Sequence, residues 1–160
     1  DINPSNSIII RTSWVYSYYG NNFVKTMLRL GKEKEELGVI FDQVGTPTYA
    51  AHLAKTILDI IPQIENSKVE IYNYSNEGVL SWYDFAKEII GLSNLNCLVN
   101  PIKSSQYPTP AARPFYSVLD KEKIARNGEF WKWFCITAPV LLLIIFSLIF
   151  QFVRKNQNTK

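Results

Sequence analysis

The sequence lacks a glycine-rich turn. Its seven glycines stand at positions 20, 31, 38, 45, 78, 91 and 128, and no two are close enough for a G-x-G-x-x-G run. A loop that brings backbone amides to a pyrophosphate at a helix N-terminus needs that run. These 160 residues therefore contain no dinucleotide turn of their own. Histidine is nearly missing, with His52 alone, and cysteine is scarce, with Cys97 and Cys135 far apart and no C-x-x-C. That set has no metal-ligand spacing, so no metal site is expected. The two thiols read as buried or lipid-facing groups in a reducing compartment. No internal repeat is present. No secretory leader is expected either, because DINPSNS is polar, without a basic start or an apolar core. A chain that opens on Asp1, just before an apolar strand, suggests a fragment. Strong charge is also absent from most of the chain. Residues 1–120 hold ten Lys/Arg against twelve Asp/Glu, so no nucleic-acid partner is expected. Residues 121–160 hold seven against two, and that basic excess flanks an apolar run.

What is present starts with residues 7–30, SIIIRTSWVYSYYGNNFVKTMLRL. Ile8, Ile9 and Ile10 form a β-branched run, the pattern of a short strand buried on both faces. An aromatic loop, residues 12–20, follows. A helix then restarts, with Asn21 or Asn22 as its cap and Phe23, Met27, Leu28 and Leu30 near its apolar spacing. In open α/β sheets, ligands bind just past the carboxyl ends of such strands. The 12–20 loop is thus where a small molecule would sit.

The charge run at residues 32–36 reads as a solvated helix end. Val39, Ile40 and Phe41 predict the next strand. Thr48 reads as the cap of a helix reaching Ile61, with Leu53, Ile57, Leu58 and Ile61 on one side, stopped by Pro62. His52 lies beside that stripe and reads as a surface or partner-satisfied residue. VEIYNY at residues 69–74 alternates Val69 and Ile71 with Glu70 and Tyr72, a strand with one exposed side. Ser81 to Asp84 is a capping box opening a helix to about Ile90, which Gly91 ends. Residues 98–102 predict a last strand. Pro108, Pro110 and Pro114 stiffen the loop after it, and Asp120 can cap a closing helix over residues 121–126.

Residues 133–153, WFCITAPVLLLIIFSLIFQFV, carry no charge. At ~1.5 Å per residue such a helix spans a hydrocarbon core of about 30 Å. Trp131 and Trp133 stand at one end as interfacial aromatics, and Arg154 and Lys155 close the other. The expected division is 1–126 globular, 127–132 linker, 133–153 transmembrane helix and 154–160 basic tail. A mis-joined reading frame is the competing origin of the apolar run.

Four ordered stretches carry a resemblance: IIIRTSWVYSYYGNNFVKTMLRL at residues 8–30, DQVGTPTYAAHLA at 42–54, EGVLSWYDFAKEI at 77–89 and SSQYPTPAARPFYSVLDKEKI at 104–124. Together they resemble the dTDP-4-dehydrorhamnose reductases, extended short-chain dehydrogenases, from about Ile8 to Ile124. The resemblance implies an α/β, partial Rossmann-like fold, the substrate-binding half of such an enzyme, followed here by a C-terminal hydrophobic helix. It implies reduction of dTDP-4-dehydro-L-rhamnose with NADPH or NADH, a dTDP-sugar as partner, and a cytoplasmic domain. By family position Thr12 and Ser13 border the nicotinamide end of the cleft, and Trp14 lies beside the deoxysugar. An indole on a loop past a strand end suits a sugar face; the other reading of Trp14 is a core residue. Arg113, in a stiff loop, can clamp a diphosphate or pair with a local carboxylate such as Asp120. Asn22 and Gln43 can donate to phosphates or base, or serve as turn and capping residues.

The family's proton donor and cation form Tyr-x-x-x-Lys on a helix. Tyr83 and Lys87 have that spacing. They lie inside the stretch that resembles the substrate half, so they read as a coincidence, and no catalytic residue is assigned. Two other readings remain open. One is a non-catalytic regulatory module of the same fold, similar to the methionine adenosyltransferase β subunit. The other is a tail-anchored membrane protein.

Overall fold

The computed structural model describes residues 7–63, 65 and 68–126. The first strand, β1 (Ile8–Arg11), runs parallel to β6 (Glu70–Asn73), with Ile9 opposite Ile71 and Ile10 opposite Tyr72. β1 is not buried on both faces. Ile9 and its neighbour Ile71 are both exposed, while Ile8 and Ile10 are half-buried. Within the expected aromatic loop, β2 (Val15–Tyr16) pairs with β5 (Thr48–Tyr49). Two-residue strands carry too little periodicity to be read from sequence.

Asn22 caps the first helix, α1 (Phe23–Glu33): its side chain accepts from the Lys25 backbone N–H at 3.2 Å. Val24, Met27 and Gly31 form its buried face. The charge run after it is exposed, as expected. β3 (Glu36–Ile40) begins earlier than the apolar triplet implied, because Leu37 and Val39 are its inward pair. It runs parallel to β8 (Leu98–Ile102), the predicted last strand. α1 and α3 (Trp82–Leu92) cross over this ribbon. The crossing is close because Gly31 is bare: a Cβ there would lie 2.3 Å from Ile90 Cδ1. Phe85, Ala86, Ile89 and Ile90 from α3 fill the core with Val24, Met27, Leu37, Val39 and Val99.

The capping box opens α3 as predicted. Ser81 Oγ accepts from the Asp84 N–H at 3.1 Å, and Asp84 Oδ2 accepts from the Ser81 N–H at 2.9 Å. Gly91 does not end the helix. The terminator is Asn94, at φ 51°, whose N–H donates to the Gly91 carbonyl while Leu95 donates to Ile90. This is a Schellman closure with asparagine in the left-handed position.

β4 (Val44–Gly45) runs antiparallel to β7 (Leu80–Ser81). Thr48 lies in β5 and caps nothing. The second helix, α2 (Ala50–Ile60), starts behind Tyr49 without a side-chain cap. Its buried residues are Thr56 and Ile60, while Ile57, Leu58 and Ile61 are exposed, so the expected stripe faces the wrong way. β6 is also reversed. Tyr72 is buried under Lys123, whose Nζ lies 4.6 Å from the ring centroid, and Ile71 is exposed. Lys123 comes from α4 (Glu122–Arg126), which Asp120 opens by accepting from the Glu122 N–H at 2.9 Å. Among the described residues no helix is long and apolar enough to cross a membrane. Residues 133–153 lie outside the described part.

Asn76 joins three segments. Its Oδ1 accepts from the Tyr49 N–H at 3.2 Å, its Nδ2 donates to His52 Nδ1 at 2.9 Å, and its carbonyl accepts from Lys121 Nζ at 2.8 Å. His52 is thus partner-satisfied, and it must be neutral at Nδ1 to accept. Burial lowers its pKa. The unfolded chain therefore takes up this proton first, near pH 6.5. The stability tied to the neutral imidazole is complete above that pH and is lost as pH falls through the lower folded value. We expect the melting temperature to drop on acidification from pH 7.5 to 5.5, and His52→Gln to flatten the drop. An unchanged pH profile in His52→Gln would show that another group carries it.

Candidate functional site

The loop after β1 is stapled to the β4–β5 segment. Ser13 Oγ donates to the Thr46 carbonyl at 3.2 Å, Thr12 Oγ1 to Thr48 Oγ1 at 3.4 Å, and the Thr48 N–H to the Trp14 carbonyl at 3.1 Å. Thr46 and Thr48 are fully buried, so these contacts fix the loop from inside. Trp14 sits at φ 49°, a region bulky residues rarely occupy. Its half-buried indole stacks on Trp82, with ring centroids 3.5 Å apart and planes 10° from parallel. Trp82 in turn meets Phe23 at 4.6 Å. Beneath the indole edge lies Gly45, where a Cβ would come within 2.8 Å of Trp14 Cε2 and 2.6 Å of Ser117 Oγ. Glycine is needed there for space, because the ring lies against the backbone.

The sequence pattern singled out Trp14 but not Trp82, the ring it stacks on. The signal available was an aromatic at the first position behind the capping box. One face of the Trp14 ring packs on Trp82, and the residue stays half-buried, so it is not the enclosed core tryptophan of the alternative reading.

Asn22 serves the chain itself. Its Oδ1 caps α1 and its Nδ2 donates to the Ser17 carbonyl at 2.7 Å. Of its two readings, capping is the one the geometry fills. Gln43 is different. It is only 7% exposed, and its carboxamide makes no hydrogen bond among the described residues. A buried polar group left this way costs about 1–3 kcal/mol. Its chain neighbours are occupied: Asp42 accepts from the Ser104 N–H at 2.9 Å and from Ser104 Oγ at 2.9 Å. Val44 donates to the Phe115 carbonyl at 2.8 Å, and its own carbonyl accepts from the Ser117 N–H at 2.9 Å.

Residues 105–114 thus form a strap whose two ends are pinned on either side of Gln43. Every residue of the strap is exposed, Arg113 included. Arg113 makes no ion pair among the described residues, and the Asp120 carboxylate caps α4 instead. On α3, Lys87 Nζ lies over the Tyr83 ring, 5.9 Å from its centroid. Among the described residues no three His, Cys, Asp or Glu side chains gather where a metal could be held.

The profile of the RmlD substrate binding domain family matches residues 3–133, beyond the point near Ile124 where the resemblance was expected to stop. A dTDP-4-dehydrorhamnose reductase from Aggregatibacter actinomycetemcomitans is 48% identical over 128 residues, 74% of this chain and 43% of the relative. The spore coat polysaccharide biosynthesis protein SpsK of Bacillus subtilis is 40% identical over 127 residues, 79% of this chain and 44% of that protein. Among solved structures, the dTDP-4-dehydrorhamnose reductase of Bacillus anthracis, in complex with NADP, superposes with a TM-score of 0.68. It is 45% identical, with 76% of this chain and 41% of that one covered. The chain spans less than half the length of these relatives. Its fold is the α/β, Rossmann-like fold they share, and the chain belongs to the RmlD substrate binding domain family.

Proposed function

We propose that residues 1–126 are the substrate-binding half of a dTDP-4-dehydrorhamnose reductase, and that they hold a dTDP-sugar against the loop after β1. The observation that carries this reading is Trp14: a left-handed backbone, an indole clamped on Trp82, and a place at the carboxyl end of a parallel strand. Local strain of that kind persists where the surroundings enforce it and clusters at ligand clamps. Trp14 supplies the sugar platform, Gln43 a buried polar contact, and Arg113 a guanidinium fork for the diphosphate. Asn22 shapes the loop. Thr12 and Ser13 border the end of the cleft that a nicotinamide would approach.

The family's NADPH or NADH does not fit these residues alone. The described part offers no glycine-rich cradle for a pyrophosphate, so no step of hydride transfer is assigned to this chain. We read Tyr83 and Lys87 as a coincidence of spacing and not as its donor pair, because they lie inside the stretch that resembles the substrate-binding half. We expect the purified chain to oxidise no NADPH above background with dTDP-4-dehydro-L-rhamnose. Turnover that Tyr83→Phe abolishes would overturn both statements.

The platform has its own test. Trp14→Phe keeps a ring on Trp82, so the melting temperature should change by only a few degrees. Affinity for dTDP-L-rhamnose should fall about three- to tenfold, as a weakened aromatic contact of ~0.5–1.5 kcal/mol implies. Equal affinity in a folded variant would make Trp14 a packing residue and nothing more.

The reading extends to residues 133–153, which we take as a membrane helix joined by residues 127–132, with the globular part in the cytoplasm. Its support is the sequence. Central Leu, Ile, Phe and Val residues each favour insertion by roughly 0.3–0.6 kcal/mol, and the stretch from Val140 to Phe150 is interrupted by Ser147 alone. Lys121, Lys123, Arg126 and Lys132 precede the run, against Arg154, Lys155 and Lys160 after it, a slight positive-inside bias for that orientation. The expected outcome of cell fractionation is that the chain stays with membranes through carbonate and is released by detergent. Release by carbonate would remove the anchor from the proposal.

A further inference from the structure

We propose that Gln43 is the residue through which this site reads the hydroxyl pattern of the deoxyhexose. The inference deepens the proposed function and rests on it. Three observations place the residue. The first is unmet bonding capacity in a buried position. Gln43 is 7% exposed, yet neither its amide nitrogen nor its carbonyl oxygen has a partner among the described residues. Buried polar side chains are nearly always hydrogen-bonded, so an orphan of this kind points to a partner that arrives from outside. The second is direction. Gln43 directly precedes β4 and, with Gly45, flanks Val44, whose N–H and carbonyl both pair across to residues 115–117; alternation about that extended residue sends its two neighbours to the same side. Gly45 is the residue that lies against the Trp14 indole. The carboxamide is therefore on the platform side of the strand.

The third observation is rigidity. Asp42 and Val44, the residues on either side, are both tied down, one to Ser104 and the other to Phe115 and Ser117. The main chain that carries Gln43 is thus held on both sides. The chemistry then follows from the two groups together. A hexose offers a weakly polar ring face, which packs on an indole, and a rim of hydroxyls that both donate and accept. A carboxamide carries an acceptor and a donor side by side, so it can meet two neighbouring hydroxyls at once, or a hydroxyl and a ring carbonyl. The platform would tolerate many sugars, and the amide would choose among them.

The test separates the sugar from the nucleotide. Affinities for dTDP and for dTDP-L-rhamnose are measured by calorimetry on the full chain and on Gln43→Met and Gln43→Asn, with melting temperatures beside them. The wild-type chain should bind dTDP-L-rhamnose about tenfold or more tighter than dTDP, the worth of two hydrogen bonds. Gln43→Met should bind dTDP normally, lose most of that increment, and melt at a higher temperature, because an unpaired buried amide has been removed. Gln43→Asn, one methylene short, keeps the polarity and should also lose the increment. A sugar increment retained in both variants overturns the inference and leaves the proposed function standing, whereas a wild-type chain that binds dTDP with no preference for the sugar overturns the inference and the sugar platform with it. A lower melting point in Gln43→Met assigns the amide a structural partner and overturns the inference as well. A wild-type chain that binds neither ligand overturns the proposed function, and the inference with it.

Discussion

The indole of Trp14 lies flat on that of Trp82 and edge-on to the bare backbone of Gly45, and four stretches of chain converge because of that contact. It brings the exit of β1 to the start of α3, and both to β4 and to Ser117. Neither ring could be smaller without opening a gap, and position 45 could not carry a side chain without moving the ring. The three staples from residues 12–14 to residues 46–48 hold the loop in the strained backbone that the stack requires. Strain at one residue is thereby balanced by fully buried threonines on the facing segment.

Much of this was legible in local chemistry. The Ser81–Asp84 box, the Asn22 cap, the Asp120 cap and the strand at residues 98–102 each depend on a few neighbouring residues, and each is where the pattern put it. The misreadings share a different cause. Whether Ile71 or Tyr72 turns inward is set by Lys123 and α4, far along the chain. Whether α2 buries Thr56 or Ile57 is set by what packs against it, not by which residue is more apolar. Gly91 looked like a helix terminator because glycine favours the left-handed position, yet Asn94 fills that position and lets the helix run on.

The candidate site divides along the same line. Trp14 could be picked out because an aromatic past a strand end is a local feature. Trp82 could not, since nothing in its own neighbourhood announces the partner that stacks on it. Gln43 was visible as a polar residue in a turn, a position that usually means solvent. It is buried instead, and the ties of its neighbours Asp42 and Val44 to Ser104, Phe115 and Ser117 are long-range. Arg113 was placed between a clamp and an ion pair with Asp120, and the capping duty of Asp120 decides against the pair.

The strand pairings carry one more consequence, for the way the chain must assemble. Ile8 meets Glu70, Val15 meets Thr48, Glu36 meets Leu98, and Val44 meets Ser81. None of these ladders is a hairpin, so no strand can find its partner by closing a short turn. Each ladder requires a long loop to close before its hydrogen bonds repay the lost entropy. The ladders also interlock, because the segment between the partners of one ladder supplies strands to another. Such a topology places this chain among slow folders of high contact order. The capped helices α1 and α3 are the parts able to form early, and their crossing at Gly31 is the natural place for the long loops to begin to close.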